Sequence, residues 1–383
     1  MGAHALAMAP THGLRVLVLE VSGTGGWAQY TFSLLCALSE AGVEPVLATN
    51  AEWELDRVPR AFEVRRVTHQ GQGYAAAVSA ILGAARATEP AVVHVQSLVS
   101  TRKDAALFFL LRRSGLPVVF TAHNVVPHEG TAWDRLGHRL MYGLADRVIV
   151  HSEASRARLL ALHRGARTRI RVIPQGHYAR LFGGFAADRR RARADMGLSM
   201  AEPVLLFFGA IRPYKGLDVL LRALPAVRRC HPAVRLLICG RPLHAEAAAL
   251  PQLVADLGLR EYVTLEPRYL GFEEVAARFA AADVAVFPYR EVDTSAALHV
   301  ALTLGCPVIA TRVGGTSEEV AEGITGRLVE PGDPFALARA IVEALDDPPR
   351  TRAMGARARE VELVTRDWAP IARATAACYR ELA

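Results

Sequence analysis

The stretch ADVAVFPYREVDTSAALHVALTLGCPVIATRVGG, residues 282–315, decides how this chain folds. Its apolar run Val284–Phe287 predicts a buried strand, which ends at the next residue because a proline cannot donate a hydrogen bond to a neighbouring strand. Ser295 then stands at the N-cap position of an Ala/Leu/Val-rich helix that Gly305 closes. A second apolar strand, Val308–Thr311, follows, so the segment predicts a strand–loop–helix–strand unit.

The start of that helix is suited to binding an anion. The N–H groups of a first helical turn have no partner inside the helix, and the helix dipole places partial positive charge beside them. The loop before Ser295 brings these amides to the end of a strand, where a ligand can reach them. The sequence therefore predicts a phosphate site at the N-terminus of this helix.

Strands alternate with helices along the whole chain, in a pattern that occurs twice. In the first half, strands are predicted at residues 14–19, 45–49, 64–67, 92–96, 117–121, 147–151 and 170–173. In the second half, they are predicted at residues 204–208, 234–239, 263–265, 284–287 and 308–311. Helices are predicted between most of these strands, among them residues 31–40 and 245–257. Such alternation is typical of parallel sheets covered by helices on both faces, so we predict an α/β protein with two doubly wound, Rossmann-like domains.

The boundary between the two halves is marked by composition. Residues 180–200 combine paired glycines with a run of arginines, which is typical of a linker. We therefore divide the chain into a first domain over residues 1–180, a second over 181–365 and a final helical segment over 366–383. Two doubly wound domains that face each other place their ligands in the cleft between them, at the carboxyl ends of the strands.

Composition narrows the class of protein. The chain has 383 residues, of which 51% are hydrophobic, and no apolar run reaches the roughly 18 residues of a membrane span. Five scattered cysteines without a CxxC pair argue against structural zinc and disulfides. They fit a reducing compartment, so a cytoplasmic location is expected.

The net charge of +7 leaves two interpretations open. It fits an anionic ligand, or peripheral contact with the inner face of an anionic membrane. It fits equally well an arginine-rich protein whose charges are simply solvated. The basic residues are dispersed and form no nucleic-acid-binding motif, so nucleic acid is not an expected partner.

A glycine-rich loop that contains Gly25 and Gly26 follows the first predicted strand. The spacing of its glycines is not GxGxxG, and no acidic residue clearly ends the second strand, so a dinucleotide cofactor is not expected. The loop either lets a ligand approach the backbone closely or is a plain tight turn.

Two cations, Arg212 and Lys215, lie in the first loop of the second half, in the segment FFGAIRPYKGLDVLL. From there they can reach a diphosphate across the cleft, the arginine as a bidentate donor and the lysine as a point charge. Taken alone, both also fit ordinary surface residues. The phosphate site predicted in the same domain favours the diphosphate.

Polar residues crowd the end of the strand predicted at 117–121, where the sequence TAHNVVPHEG places His123, Asn124, His128 and Glu129. A histidine at this position orients a sugar hydroxyl or transfers a proton, unless it is a structural residue. The spacing of these residues matches no zinc-ligand pattern, so no metal site is expected here.

Together these segments resemble the retaining glycosyltransferases of family 4, which have the GT-B fold of two Rossmann-like domains facing across a cleft. The resemblance runs along nearly the whole chain. It is carried by the GG loop, TAHN, VIVHSEASRARL, IPQGHY, GAIRPYKG, ADVAVFPYRE, GCPVIATRVGGTSEEV and TGRLVEPGD. It implies transfer of a sugar from a nucleoside diphosphate donor, with retention and without a metal or other cofactor, to a polysaccharide, lipid-linked or small-molecule acceptor.

The resemblance also implies which residues bind the donor. The residues implied to hold the diphosphate are Arg212, Lys215, Ser295 and Ala296. Those implied on the donor-sugar side are Gly26, His123 and Glu291, and Gly25 is expected to bind the donor as part of the same glycine loop. The residues expected to take part in catalysis are His123, Arg212, Lys215 and Glu291. The last helix is expected to cross back onto the first domain.

One departure from the family pattern concerns ribose recognition. Family members usually carry a Glu-x7-Glu pair, and its second glutamate binds the ribose. Counted from Glu291 that position is His299, and counted back from the glycine that closes the helix it is Val300, so neither is a carboxylate. His299 shares a polar stripe with Ser295 and Thr303. We expect His299 to compensate at the donor site, unless the stripe is merely the exposed side of a half-buried helix.

Two rival functions remain open at this point. A nucleotide-sugar epimerase on the same fold would release free sugar epimers without an acceptor. A non-catalytic sugar-nucleotide-binding partner would bind the donor without turnover, which the missing second carboxylate favours. Because Arg212, Lys215 and His123 are all present, we expect a glycosyltransferase.

Overall fold

The computed structural model describes residues 13–127, 130–163, 169–185, 187–243 and 249–383. The strands of its first sheet are β1 (Leu14–Glu20), β2 (Val43–Asn50), β3 (Glu63–Thr68), β4 (Val92–Val95), β5 (Val118–Thr121), β6 (Arg147–Val150) and β7 (Ile170–Val172). The strands of its second sheet are β8 (Val204–Phe208), β9 (Arg235–Cys239), β10 (Val263–Glu266), β11 (Val284–Phe287), β12 (Val308–Thr311) and β13 (Arg327–Val329). The predicted doubly wound α/β architecture is confirmed.

Helices connect most of these strands. Those of the first half are α1 (Gly26–Glu40), α2 (Tyr74–Thr88), α3 (Asp104–Arg113), α4 (Ala132–Leu144), α5 (Glu153–Leu162), α6 (Ala179–Phe182) and α7 (Arg189–Asp195). Those that follow are α8 (Leu217–Cys230), α9 (Leu250–Asp256), α10 (Phe272–Ala281), α11 (Ala296–Leu304), α12 (Thr316–Glu319), α13 (Pro334–Asp346), α14 (Pro348–Thr365) and α15 (Trp368–Arg380). No helix in the described part of the chain combines the length and the apolar character needed to cross a bilayer.

Both sheets have the same strand arrangement around their first strand. The order is β3-β2-β1-β4-β5-β6-β7 in one sheet and β10-β9-β8-β11-β12-β13 in the other, and the strand pairs are parallel. The chain order reverses beside β1 and beside β8, which opens a crevice at the carboxyl ends of the strands. The loops after β1 and β8, and those after their neighbours β4 and β11, therefore frame the ligand site.

The apolar strand runs are explained by burial on both faces. In β1, Val16 and Val18 belong to one apolar cluster, whereas Leu17 and Leu19 belong to another on the opposite face. All four are at most 1% exposed, as expected for a strand in a sheet that helices cover on both sides. The first cluster also contains Leu206 of β8, so apolar packing continues from one domain into the other.

The beginning of α1 differs from the prediction. The helical pattern was expected from residue 31, but α1 begins at Gly26, directly after Gly25 with a φ of 78°. Because glycine adopts this left-handed conformation without strain, the chain turns from strand to helix within the glycine loop. The predicted helix over 245–257 is observed as α9, and residues 244–248 lie outside the described part.

The arginine run expected to form a linker is instead a fixed helix. Arg193 of α7 is 1% exposed. Its Nε donates to the carbonyl of Ala281 at 2.9 Å, and its Nη2 donates to Oδ2 of Asp283 at 2.7 Å. These contacts attach α7 to the second domain. The division at residue 180 stays a prediction.

The last helix, α15, packs against α1 of the first domain. The indole Nε1 of Trp368 donates to the carbonyl of His177 at 2.7 Å. At the other end of the helix, the hydroxyl of Tyr379 lies 2.6 Å from Nδ1 of His94 in β4. The end of the chain therefore stabilises the first domain next to the crevice.

Candidate active site

A cavity of about 690 Å³ lies between the two domains, at the carboxyl ends of the two sheets. Several of the residues that line it are those predicted from the sequence, namely Gly25, Gly26, Arg212, Lys215, Ser295 and Ala296. The first two come from the loop after β1, and the others come from the loops after β8 and β11. The structure therefore brings six predicted residues together from both domains.

The N-terminus of α11 forms one wall of this cavity. The Oγ of Ser295 accepts a hydrogen bond from the amide of Leu298 at 3.2 Å, so the predicted N-cap is confirmed. The hydroxyl of Tyr289 lies 3.0 Å from the same Oγ and holds it in place. The cap satisfies the third amide of the turn, which leaves the amides of Ala296 and Ala297, two residues that line the cavity, available to an anion.

Gly26 approaches α11 from the opposite domain. A Cβ placed on Gly26 would lie 2.7 Å from the Cβ of Ala296, closer than two carbon atoms can pack without displacement. Only glycine therefore allows the first-domain loop to come this near to the helix. Close backbone approach, rather than a plain turn, is the reason for glycine at this position.

Lys215 lies beside α11 with its ammonium group out of water. The side chain is 9% exposed, and its Nζ lies 5.3 Å from the centre of the Tyr289 ring. Burial and, after it, the positive charge of Arg212 together lower the pKa of Lys215 to about 8. Within the part of the chain that the structure describes, no carboxylate pairs with Lys215. A buried, unpaired cation is costly unless an anion is bound beside it.

The backbone around Lys215 has little room. Arg212 precedes a short 3-10 turn, Pro213–Lys215, and Gly216 follows it with a φ of 64°. A Cβ on Gly216 would lie 2.0 Å from the carbonyl oxygen of Pro288. This contact fixes the turn against the end of β11, so Arg212 and Lys215 are held on the same wall as the helix.

His123 lies behind the cavity wall in a chain of buried histidines. Its ring is 7% exposed and stacks on Trp27, a residue that lines the cavity, with 6.0 Å between the ring centres. Its Nδ1 lies 3.1 Å from Nε2 of His151, whose Nδ1 faces the carbonyl of Ile173 at 2.9 Å. Burial lowers the pKa of both histidines, that of His151 to about 4, so both are neutral near pH 7.

The tautomer of His123 follows from these contacts. The carbonyl of Ile173 can only accept, so the proton of His151 is on Nδ1 and its Nε2 accepts from Nδ1 of His123. Nε2 of His123 is then an acceptor that lies 2.9 Å from Oε1 of Gln96, so two neutral histidines require the Gln96 amide to be turned, with its nitrogen donating to Nε2. The donor-sugar role of His123 stays a prediction, while its neighbour Asn124 lines the cavity. His128 and Glu129 lie outside the described residues.

His299 does not face the cavity, contrary to the expected role at the ribose. Its ring is fully buried, with Nδ1 2.9 Å from Oε1 of Glu362 and Nε2 3.2 Å from Oε1 of Glu319. Burial alone would lower the pKa of His299, but the two carboxylates raise it to about 9. Thr303, on the same stripe, accepts from the amide of Tyr178 at 3.1 Å. His299 and Thr303 thus make buried polar contacts within the protein, and of the stripe only Ser295 lines the cavity.

Glu291 also lies outside the cavity lining. Its carboxylate is 3.5 Å from Arg158 of the first domain. Asp293, which the sequence pattern does not predict, makes the stronger contact between domains, because its Oδ2 accepts from the amide of Val125 at 2.8 Å and its Oδ1 accepts from Arg158 at 3.1 Å. Catalysis by Glu291 stays a prediction.

A second contact between domains involves Gln29 and Tyr269, which line the cavity. The hydroxyl of Tyr269 donates to Oε2 of Glu54 at 2.5 Å and accepts from Gln29 at 3.1 Å. Oε1 of Glu54 accepts from the amide of Gly25 at 2.9 Å. We call Gln29, Glu54 and Tyr269 the clasp. No local motif marks its residues, because they lie far apart in the chain.

One signal for Lys215 is present in the sequence. The chain contains two lysines, Lys103 and Lys215, among 45 basic residues. Nearly all the other basic residues are arginines, so a buried lysine indicates a site that needs a compact point charge. Metal ligation has no comparable signal, since no group of three or more His, Cys, Asp or Glu side chains in the described ranges is arranged to hold an ion.

Two family models match the sequence. Residues 24–177 match the model described as Glycosyltransferase Family 4, and residues 202–347 match the model described as Glycosyl transferases group 1. The first match begins at the glycine loop, and the second contains the loops after β8 and β11. Together they cover the cavity from both sides.

Curated relatives agree with these matches. The D-inositol 3-phosphate glycosyltransferase of Nocardia farcinica is 35% identical over 258 residues, which are 63% of this chain and 56% of that protein. The D-inositol 3-phosphate glycosyltransferase 1 of Catenulispora acidiphila is 34% identical over 286 residues, which are 70% of this chain and 66% of that protein. The chain thus spans between about half and two thirds of the length of these relatives.

Solved structures share the architecture along nearly the whole chain. Sucrose-phosphate synthase from Thermosynechococcus elongatus has a TM-score of 0.79 at 25% identity, and the likeness covers 96% of this chain and 98% of that one. HepE from Anabaena, solved in complex with UDP-glucose, has a TM-score of 0.79 at 21% identity, and the likeness covers 96% of this chain and 100% of that one. The chain has the GT-B fold and belongs to glycosyltransferase family 4.

Proposed function

We propose that this protein is a retaining glycosyltransferase that moves a sugar from a nucleoside diphosphate onto an acceptor held in the same cavity. The observation that supports this most is the buried ammonium group of Lys215, which lies beside the amides of Ala296 and Ala297 and has no carboxylate partner among the described residues. A diphosphate satisfies both features at once, because it is an anion with several acceptor oxygens.

The same groups account for catalysis. When the bond between the sugar and the diphosphate breaks, the leaving oxygen gains negative charge. Lys215, Arg212 and the N-terminus of α11 stabilise that charge more than they stabilise the bound donor, which lowers the barrier. Gly26 and Trp27 line the cavity on the first-domain side, and closure of the two domains on the bound donor would keep water out while the acceptor hydroxyl attacks.

The donor and acceptor are proposed from the relatives. HepE was solved with UDP-glucose, and the curated relatives are named for D-inositol 3-phosphate. We propose UDP-glucose as the first donor probe and D-inositol 3-phosphate as the first small-molecule acceptor probe. Sugar-containing and lipid-linked acceptors form the next class. A lipid-linked acceptor would fit a cytoplasmic enzyme that contacts the inner face of an anionic membrane.

We further propose that transfer needs no metal ion, because Lys215, Arg212 and the amides of α11 supply the positive charge that a metal would otherwise bring to the diphosphate. Activity measured with EDTA should therefore equal activity measured without it. A strict requirement for a divalent ion, restored by adding that ion back, would contradict this proposal.

The function is tested in two steps. A panel of UDP-, GDP- and ADP-sugars is first screened by thermal shift, since a ligand that binds only the folded protein raises its melting temperature. The stabilising donor is then incubated with and without acceptors while nucleoside diphosphate and sugar products are measured. The proposal is supported if nucleoside diphosphate is released only when an acceptor is present and if the product keeps the anomeric configuration of the donor sugar. Free sugar epimers formed without acceptor would indicate an epimerase, and stabilisation without turnover would indicate a binding protein.

A further inference from the structure

Two neighbouring helices of the first domain expose large apolar side chains. On α4, Trp133 is 70% exposed, Leu140 is 51% exposed and Leu136 is 45% exposed. On α3, Phe109 is 55% exposed and Leu110 is 38% exposed. Monomeric proteins rarely expose so many large apolar residues in one place without a binding partner.

These side chains form one continuous surface. Trp133, Leu136 and Leu140 are spaced i, i+3 and i+7, so they share one side of α4. α3 packs beside α4, and both helices bury their inner sides in the same apolar cluster, through Phe108 of α3 and Met141 of α4. Two helices that cover one sheet face side by side expose their outer sides in the same direction. We call this surface the α3–α4 face.

The charge of the α3–α4 face has one sign. Its exposed basic residues are Arg102, Lys103, Arg112, Arg113, Arg135 and Arg139. The acidic residues of the described ranges 98–127 and 130–146 are Asp104, Asp134 and Asp146. None of the three is exposed, and Asp134 is occupied by Arg102, whose Nε donates to Oδ1 at 3.0 Å. Arg112 is likewise paired with Asp146 at 3.4 Å, so the cations of the face without a carboxylate partner among the described residues are Lys103, Arg113, Arg135 and Arg139.

The arrangement on α4 matches a helix that lies in a membrane interface. Arg135 and Arg139 are neighbours at one edge of its exposed side, next to the apolar stripe that ends with Trp133. Long basic side chains can reach lipid phosphates while tryptophan and leucine enter the boundary between headgroups and acyl chains. The exposed tryptophan and leucines beside basic side chains therefore favour a lipid surface over a protein partner.

The α3–α4 face borders the cavity. Thr101, in the loop before α3, and Asp134, in the first turn of α4, both line it. A Cβ on Gly137 of α4 would lie 2.3 Å from the carbonyl oxygen of Thr101, so this loop is held directly against the helix. A bilayer on the face would therefore lie beside the cavity entrance.

We propose that the α3–α4 face docks the enzyme on the surface of an anionic phospholipid bilayer, and that the acceptor reaches the cavity from that bilayer. The second part rests on the proposed glycosyltransferase function, whereas docking itself does not. Docking places the anionic groups of the membrane against Lys103, Arg113, Arg135 and Arg139 and leaves the second domain in water. The donor, which is water-soluble, enters from the second-domain side.

Docking is tested by flotation of the full-length protein with phosphatidylcholine vesicles that contain or lack phosphatidylglycerol. Binding is expected with phosphatidylglycerol and should weaken with salt. Replacing Leu136→Ser and Leu140→Ser together, or Arg135→Glu and Arg139→Glu together, should weaken it by about tenfold or more. The matched controls Phe335→Ser and Arg191→Glu, on exposed positions of α13 and α7, should bind as the wild type does. All of these side chains are exposed, so the melting temperature should not change.

Two further measurements distinguish membrane docking from donor binding and catalysis. Trp133 fluorescence should shift to shorter wavelength on vesicle addition, and the shift should be lost in Trp133→Phe. Donor-induced thermal shift should be the same in all face variants, since none of these residues contacts the donor. Wild-type protein that does not float with anionic vesicles, or face variants that float as well as the controls, would overturn the docking proposal. Vesicle binding by a protein that fails to turn over any sugar nucleotide would instead overturn the proposed function.

Discussion

Lys215 is a buried cation, and its protonation state should govern donor binding. Burial and the neighbouring Arg212 lower its pKa to about 8, so in the empty enzyme the ammonium form is lost as pH rises through that value. The diphosphate of a sugar nucleotide keeps its charge over the same range. Donor affinity should therefore be constant well below pH 8 and fall above it, as measured by the KM for the donor.

Two variants serve as controls for this pH dependence. Lys215→Arg stays charged at every accessible pH, so any donor binding that it retains should be independent of pH. Lys103→Ala removes the other lysine, which lies over the Tyr74 ring and is not among the residues that line the cavity, and it should keep the wild-type profile. A profile with the same fall in Lys215→Arg would show that another group titrates.

Among single residues, the sequence predicts those whose role depends only on their neighbours in the chain. Ser295 is a cap because of its position before an apolar helix, and Lys215 and Arg212 follow a strand directly. His299 shows the limit of such reasoning. Its partners Glu319 and Glu362 lie 20 and 63 residues further along the chain, so no spacing rule brings them together. His299 and Thr303 are polar, as the sequence pattern indicates, but they contact other residues of the protein.

At the scale of elements, His299 joins three helices. It lies on α11, Glu319 ends α12 and Glu362 lies on α14. His299→Ala would leave two buried carboxylates without their cation, which typically costs about 3–5 kcal/mol. We expect this loss in denaturant unfolding, with donor affinity close to normal where the variant is folded. Glu362→Gln added to His299→Ala should recover part of the loss.

The pH dependence of this contact has a definite sign. The folded-state pKa of His299, about 9, lies above its ordinary value of 6.5. The stabilisation is therefore fully present below pH 6.5 and is lost as pH rises through about 9. Unfolding free energy of the wild type should fall over that range by more than that of His299→Ala. Equal pH dependence in both proteins, or a loss below about 1 kcal/mol in His299→Ala, would contradict this account.

Strands and helices with a clear pattern of apolar residues have bounds that the sequence predicts well. Those whose bounds depend on packing against distant residues do not. β8, β11 and β12 have the predicted bounds because strands buried on both faces are continuous apolar runs. α14 is not predicted, since its Arg/Ala-rich sequence has no continuous apolar stripe. α1 begins earlier than expected because close packing at Gly26, which involves the other domain, decides where the helix starts.

At the scale of the molecule, the clasp joins the domains across the cavity. Tyr269 of the second domain donates to Glu54, which also holds the amide of Gly25. Tyr269→Phe removes this hydrogen bond, worth about 1.5–3 kcal/mol when the acceptor is charged. We expect the closed arrangement to be less favoured and the KM for the donor to rise about fivefold or more.

The matched control for the clasp is Tyr262→Phe, a tyrosine of the same domain that stacks with Arg228 instead of crossing the cavity. It should leave KM unchanged. Both variants should keep the wild-type melting temperature within a few degrees, because each removes one hydroxyl from a partly exposed side chain. Equal KM values for Tyr269→Phe and the wild type would show that the clasp does not contribute to closure.

The central claim is that Lys215 and the N-terminus of α11 bind the diphosphate of the donor, and calorimetric titration tests it most directly. The nucleoside diphosphate selected by thermal shift and its nucleoside monophosphate are titrated into wild type, Lys215→Ala and Lys103→Ala. We predict that wild type and Lys103→Ala bind the diphosphate at least about tenfold more tightly than the monophosphate, and that Lys215→Ala loses most of this difference. Equal affinities for the two nucleotides in the wild type, or an undiminished difference in Lys215→Ala, would contradict it.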